Sequence, residues 1–267
     1  MRRATLFRRA RRAALCACLV TGAGPAAARL NRTELARVAA APAPDARVPL
    51  DLVFGDAGRG GTTTLGAALG GRATLMLPVD YTCGNVCDPM LALSGTALAA
   101  TGLVAGRDYS LVLVGIDPRD DAAAARRMRD ADLGTPALAA KAAALVGDAA
   151  AVARLTRALG YGFVYDAGTD SFAHPAAAML LTGDGRVARV LSPLALNGRD
   201  LRLALVEAGE GSTGGLTDRL ALLCYGYDAA TGLYTPLIRR ILGAAAAATI
   251  LAIALGILIL SRRPRRA

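Results

Sequence analysis

Two cysteines four residues apart, with an apolar run before them and an apolar helix after them, constrain this chain more than any other feature. The stretch is Tyr81-Thr-Cys-Gly-Asn-Val-Cys-Asp-Pro89. Ahead of it, Ala73–Val79 has the length and apolar character of a buried strand; behind it, Met90–Leu98 reads as a buried helix. If Cys83 occupies the first helical turn, Cys87 lies one turn later on the same face and the two sulfurs converge. The unpaired N–H groups and the dipole of a helix N-terminus favour thiolate over thiol. Two thiolates meeting at one point suit a disulfide or a soft metal ion.

The remaining elements read as strands alternating with helices. Leu50–Phe54 followed by Gly55–Gly61 is a strand and turn, and Tyr109–Ile116 is a second strongly apolar strand that stops at Asp117-Pro118. Asp120–Asp130 and Asp148–Leu159 are helix candidates, the latter with Gly160 at its C-terminal end, and Phe163–Tyr165 is a further short strand. Ala176–Thr182, Gly183-Asp-Gly185 and Arg186–Leu191 make the clearest hairpin, in which Asp-Gly supplies the positive backbone angles of a tight turn. Asn197 is placed to cap a helix over Arg199–Glu207. This order predicts an α/β layered domain without internal repeats.

The formal charge of +10 suggests a nucleic-acid binder until the charges are located. Arg2, Arg3, Arg8, Arg9, Arg11 and Arg12 crowd one end; Arg262, Arg263, Arg265 and Arg266 crowd the other. Without those ten the chain holds 21 basic and 21 acidic residues, so a surface that tracks phosphates is excluded.

The N-terminal arginines, the apolar Ala13–Val20 and the small residues ending at Ala28 predict a signal peptide over residues 1–28. Leu15-Cys-Ala-Cys18 faintly matches a lipoprotein box, but the apolar stretch before Cys18 is short. Residues 29–49, rich in Ala, Pro and Arg, read as a flexible lead, and 50–210 as the folded domain. A juxtamembrane segment covers 211–240. Ile241–Leu260, twenty residues without a charge, predicts a transmembrane helix. The arginines that follow it make 261–267 a cytoplasmic basic tail. The domain is thus expected on the periplasmic side of a bacterial cytoplasmic membrane.

With the signal removed, Cys83, Cys87 and Cys224 remain. A bridge between Cys83 and Cys87 closes a very small loop and gives little entropic stabilisation, which favours chemistry over a structural role. His174, in Asp170-Ser-Phe-Ala-His-Pro175, is the only histidine. Imidazole joining two thiolates is a donor set that copper accepts, although a lone histidine also serves as a structural or surface residue. Cys224 is open to three readings: a third ligand, a partner-facing thiol, or an inert residue near the membrane.

Tyr81-Thr-Cys-x-x-x-Cys with one histidine ahead of Met-Leu-Leu-Thr-Gly-Asp-Gly185 resembles the Sco/SenC family of thioredoxin-fold copper chaperones. Gly115-Ile-Asp-Pro-Arg119, Arg199–Glu207, and Leu223-Cys-Tyr-Gly-Tyr-Asp228 ahead of an apolar span extend the likeness to roughly Asp51–Leu260, in the manner of the family's C-terminally anchored bacterial branch. The resemblance implies a thioredoxin-like domain with a C-terminal transmembrane helix. It implies copper, Cu(I) or Cu(II), bound by Cys83, Cys87 and His174. It also implies a metallochaperone rather than an enzyme, one that assists assembly of the copper centre of cytochrome c oxidase. The partners would be the oxidase subunit carrying that centre, other copper chaperones or thiol reductants, and the membrane.

The chain departs from the family where many members have proline after each motif cysteine; here Gly84 and Asp88 stand, with Pro89 one place later. The loop is then expected to be looser, and Asp88 to raise the thiol pKa values. Gly226 stands where the anchored branch often has histidine. His174-Pro175 also lies where thioredoxin-fold oxidoreductases carry a cis-proline, which keeps a second reading open. On it, Cys83 and Cys87 are a redox pair that keeps cysteines of a partner reduced.

Overall fold

The computed structural model describes residues 30–83, 87–209, 225–228, 233–236, 246–253 and 255. After α1 (Arg32–Leu35) and β1 (Ala39–Ala40), a hairpin of β2 (Val53–Asp56) and β3 (Thr62–Thr64) leads into α2 (Leu65–Leu69) and β4 (Thr74–Val79). The chain continues through α3 (Cys87–Thr101), β5 (Ser110–Gly115), α4 (Ala122–Asp132), α5 (Pro136–Ala139), β6 (Ala143–Val146) and α6 (Ala149–Ala158). Four short strands follow: β7 (Tyr161–Gly162), β8 (Val164–Asp166), β9 (Ser171–Ala173) and β10 (Ala178–Leu181). β11 (Val187–Leu191) and α7 (Gly198–Ala208) close the domain. β12 (Tyr225–Asp228) and β13 (Leu233–Pro236) pair with each other as a separate hairpin.

Seven strands form one mixed sheet in the order β11-β10-β4-β5-β6-β2-β3. β4, β5 and β6 run parallel, while β10 lies antiparallel on β4 and β2 on β6. Every residue of β4 and β5 is buried, as expected of parallel strands covered on both faces. The two-residue alternation sorts their side chains. Leu75, Leu77, Leu111 and Leu113 join the core beneath α3, α4 and α7, while Met76, Val112 and Val114 join the core beneath α2 and α6. Asp121, Asp148 and Asn197 cap α4, α6 and α7, each side chain accepting from a backbone N–H three residues on. This is a thioredoxin-like layered α/β arrangement, with β4 and β5 side by side in the core and the β10–β11 hairpin paired against β4.

Several expectations need correction. Residues 30–49 are not a loose lead: Ala39 and Ala40 pair with Gly162 and Tyr161, the Val48 N–H donates to the Gly185 carbonyl, and Val48 is 3% exposed. Gly185 alone takes a positive φ, 82°, in the hairpin turn, since Asp184 stays in the ordinary region. The Gly185 N–H closes the turn on the Thr182 carbonyl and the Thr182 N–H donates to the Arg186 carbonyl, so the loop is Gly183–Gly185, and farther along the strands the register slips between Leu180 and Leu181 in a bulge. β6 and β9 went unforeseen. No cis peptide bond occurs among the described residues, so His174–Pro175 is trans.

Among the described residues no helix is long and apolar enough to cross a membrane. Of the expected transmembrane segment only 246–253 and 255 are described; they are helical, with Ile250, Leu251, Ile253 and Leu255 exposed. The signal peptide, Cys224 and the basic tail lie outside the described residues, as do Gly84 and the Asp88 side chain.

Candidate metal centre

β4 ends at Val79 and delivers Asp80, Tyr81, Thr82 and Cys83 to the C-terminal edge of the parallel strands, where α/β sheets place their ligands. The Cys83 N–H donates to the Asp80 carbonyl at 3.0 Å, so this cysteine sits in a turn ahead of the helix rather than on its first turn. Cys87 is the first residue of α3. The Cys83 thiol is near enough to act on that of Cys87. Both cysteines are buried and unbridged.

The histidine arrives from the other side. The β8–β9 hairpin carries the chain out and back, and His174 follows β9 directly. Its Nε2 lies 3.1 Å from Cys87 Sγ, joining residues 87 positions apart. Nδ1 faces away from the sulfurs, 2.9 Å from Tyr161 Oη and 3.2 Å from the Pro175 carbonyl oxygen, while the Tyr161 hydroxyl donates to that same carbonyl at 2.7 Å.

Asp80 ties the two pieces together. It is fully buried; one carboxylate oxygen accepts from the Thr82 N–H at 3.1 Å and the Thr82 hydroxyl at 2.9 Å, the other from the Phe172 N–H of β9 at 3.1 Å. A second tie lies at the rim. Arg119 forks onto Asp117, reaches Asp170 at 2.9 Å, and stacks its guanidinium 5.1 Å from the centre of the Tyr165 ring. Asp80, Asp117 and Asp120 offer carboxylate oxygens within 4.8 Å of one another beneath this rim, and Asp120 accepts from the Tyr81 N–H at 2.9 Å.

The electrostatics correct the expectation of a helix-stabilised thiolate. Burial pushes the Cys87 thiol well above its ordinary range; the Asp80 N–H, 3.4 Å from Sγ, opposes this, and the neighbouring Cys83 and the Asp80 carboxylate push it further up. Desolvation outweighs the helix end. Among the described side chains the carboxylate that acts on the thiol is Asp80, which the sequence reading did not single out. Burial also holds the His174 imidazole below its ordinary value. These shifts put a protonated Cys87 sulfur against a neutral imidazole, with the Cys87 S–H placed to donate to Nε2. The Cys87 sulfur and the His174 nitrogen, 3.1 Å apart, with the Cys83 thiol as a neighbour, are donor types suited to Cu(I), the nitrogen extending them to Cu(II).

Of the three residues singled out from sequence, Cys87 and His174 are in contact, and Cys83 neighbours Cys87. Tyr161, Asp80 and Arg119 were not foreseen. Tyr161 sits between two glycines in Gly160-Tyr-Gly162, with no spacing that links it to the histidine thirteen residues later.

The fold is shared with solved structures of low sequence identity. A putative electron transfer protein from Aquifex aeolicus VF5 is 20% identical, with 64% of this chain and 96% of that chain covered and a TM-score of 0.54. A SCO1/SenC family lipoprotein from Bacillus anthracis str. Ames is 14% identical, with 63% and 99% covered and a TM-score of 0.52. A copper-bound ScoI from Bradyrhizobium japonicum is 21% identical over 60% and 96%, at a TM-score of 0.46 that adds nothing to the fold assignment. No curated protein matches the chain. The sequence profile described as SCO1/SenC matches residues 59–204, a range that holds both cysteines, His174 and the strands that present them. With more than half of its length matched in this way, the chain belongs to the SCO1/SenC family.

Proposed function

We propose that this domain is a copper chaperone that carries one copper ion on Cys83 Sγ, Cys87 Sγ and His174 Nε2. The observation that carries the reading is the 3.1 Å approach of Nε2 to Cys87 Sγ at the mouth of the cysteine turn. Soft sulfur donors select Cu(I), and metal entry displaces the thiol protons, so loading is proton-coupled. Burial raises the Cys87 thiol, which limits its reaction with other thiols and disulfides and favours metal transfer over thiol exchange.

The recipient on this reading is the copper-bearing subunit of cytochrome c oxidase. The domain works at the periplasmic face of the bacterial inner membrane, tethered by residues 241–260 with the C-terminus in the cytoplasm. The family membership and the uncharged C-terminal run support this placement. Reporter fusions after residue 267 should behave as cytoplasmic and fusions near Gly214 as exported; the reverse pattern overturns the tether.

The deciding experiment loads the reduced protein anaerobically with Cu(I), oxidises it, and compares wild type with His174→Ala. One copper per chain with two sulfur neighbours and one nitrogen neighbour is expected. His174→Ala should lose Cu(II) strongly while Cys83 and Cys87 still form and break a disulfide. Full assembly of the oxidase copper centre in cells carrying only His174→Ala rules out the chaperone mechanism.

A further inference from the structure

We infer that Tyr161 is a positioning residue: its hydroxyl fixes the tautomer and orientation of His174, so that a bare Nε2 faces the two sulfurs. The inference rests on the reading of His174 as a copper ligand.

The argument is an accounting of protons. Tyr161 lies in β7, whose pairing with β1 anchors it, and its side chain is buried in the apolar core at 3% exposure. A phenol has one proton to give. The Pro175 carbonyl, 2.7 Å away, can only accept, so the proton goes there. The lone pairs of Tyr161 Oη then face His174 Nδ1 at 2.9 Å, and a hydrogen bond at that distance requires Nδ1 to carry the imidazole proton. The opposite tautomer would aim a bare Nδ1 lone pair at the Pro175 oxygen, 3.2 Å off, with nothing between them. One arrangement therefore satisfies every group: Tyr161 O–H to Pro175, Nδ1–H to Tyr161, and Cys87 S–H to Nε2 at 3.1 Å. Replacing the sulfur-bound protons by a metal ion leaves the first two bonds intact. The ligand nitrogen is thus prepared before copper arrives, as when an outer hydrogen bond orients a metal-bound histidine.

The single histidine makes this testable in the full chain without assignment of competing signals. Reduced, metal-free protein labelled with ¹⁵N-histidine is examined by long-range ¹H–¹⁵N correlation of the imidazole, and Cu(II) affinity and paramagnetic resonance are measured on the loaded form. Wild type should show the Nδ1–H tautomer alone. Tyr161→Phe keeps the ring in the core and removes the hydroxyl. It should show mixed tautomers, an altered Cu(II) spectrum and an affinity about 10- to 100-fold lower, the usual loss for an outer-shell partner. A wild-type spectrum of the Nε2–H tautomer overturns the proposal without any variant, and so does a Tyr161→Phe protein whose tautomer and copper spectrum match wild type. The ligand reading fails separately, if His174→Ala holds Cu(II) as tightly as wild type whatever tautomer the parent shows.

Discussion

At the scale of single residues, Asp80 is the group on which the site's geometry depends most. Its carboxylate receives three donors, two from the cysteine turn and one from the histidine hairpin, with no exposure to water. Asp80→Ala strands the Phe172 and Thr82 N–H groups and should lower stability by about 2–3 kcal/mol, because unmade hydrogen bonds to a charged acceptor cost more than neutral ones. Urea unfolding measures the loss; a change below about 0.5 kcal/mol, the ordinary surface range, would show that the tie is cosmetic. Asp120 provides a pH test. Burial raises its pKa to about 6; the Tyr81 N–H opposes the shift, and Asp80 and Asp117 add to it. In the unfolded chain an Asp titrates near 3.9. Between those values the folded state holds a proton that the unfolded state has released, so Asp120 adds stability below pH 4 that fades as the pH rises through 6. Asp120→Asn should remove that fading: denaturant midpoints of the variant, measured from pH 4 to 7, should decline less with rising pH than those of wild type.

At the scale of elements, α3 shows how closely this fold is packed. A Cβ placed on Gly95 would lie 2.4 Å from the Leu133 carbonyl oxygen, a backbone atom that cannot swing aside. Gly95→Ala gains about 1 kcal/mol of intrinsic helix propensity. The forced displacement costs about 1–3 kcal/mol, so the variant should be the less stable of the two by thermal or urea unfolding. Elements were legible where residue type and period agreed. β4 and β5 announce themselves as apolar runs, and α4, α6 and α7 begin at the Asp and Asn caps that precede them. β6 stayed hidden because Ala143 and Ala144 continue an alanine-rich stretch with helical propensity, and only its place beside β5 makes it a strand. β9 is three half-buried residues with no alternation to read. The three candidate ligands could be named because cysteine and histidine are scarce here and their motif resembles a family. Asp80 and Tyr161 could not, since their partners, Phe172 and His174, come close only after the chain has folded back.

At the scale of the whole molecule, the site is a seam between the turn that leaves β4 and the stretch between β9 and β10, where His174 lies. The cysteine turn hangs from β4 and the histidine follows a two-stranded hairpin outside the seven-stranded sheet; Asp80 bridges them, while Arg119 links the hairpin to Asp117 just past β5. A metal ion bonded to both stretches would add to the folded state alone, and ligand at a hundred times its dissociation constant raises stability by about 2.7 kcal/mol. Copper loading should accordingly slow amide hydrogen exchange across β8 and β9 as well as at the ligands, and unchanged exchange in that hairpin would deny the coupling. The contact between Cys87 and His174, 87 positions apart, also gives the backbone a topology. On the proposed ligand set, the chain from α3 to the hairpin would be an open thread without the ion and a ring fastened by a removable rivet with it. A partner that took the metal would then also unfasten the ring, and delivery would leave its record in the carrier as slack.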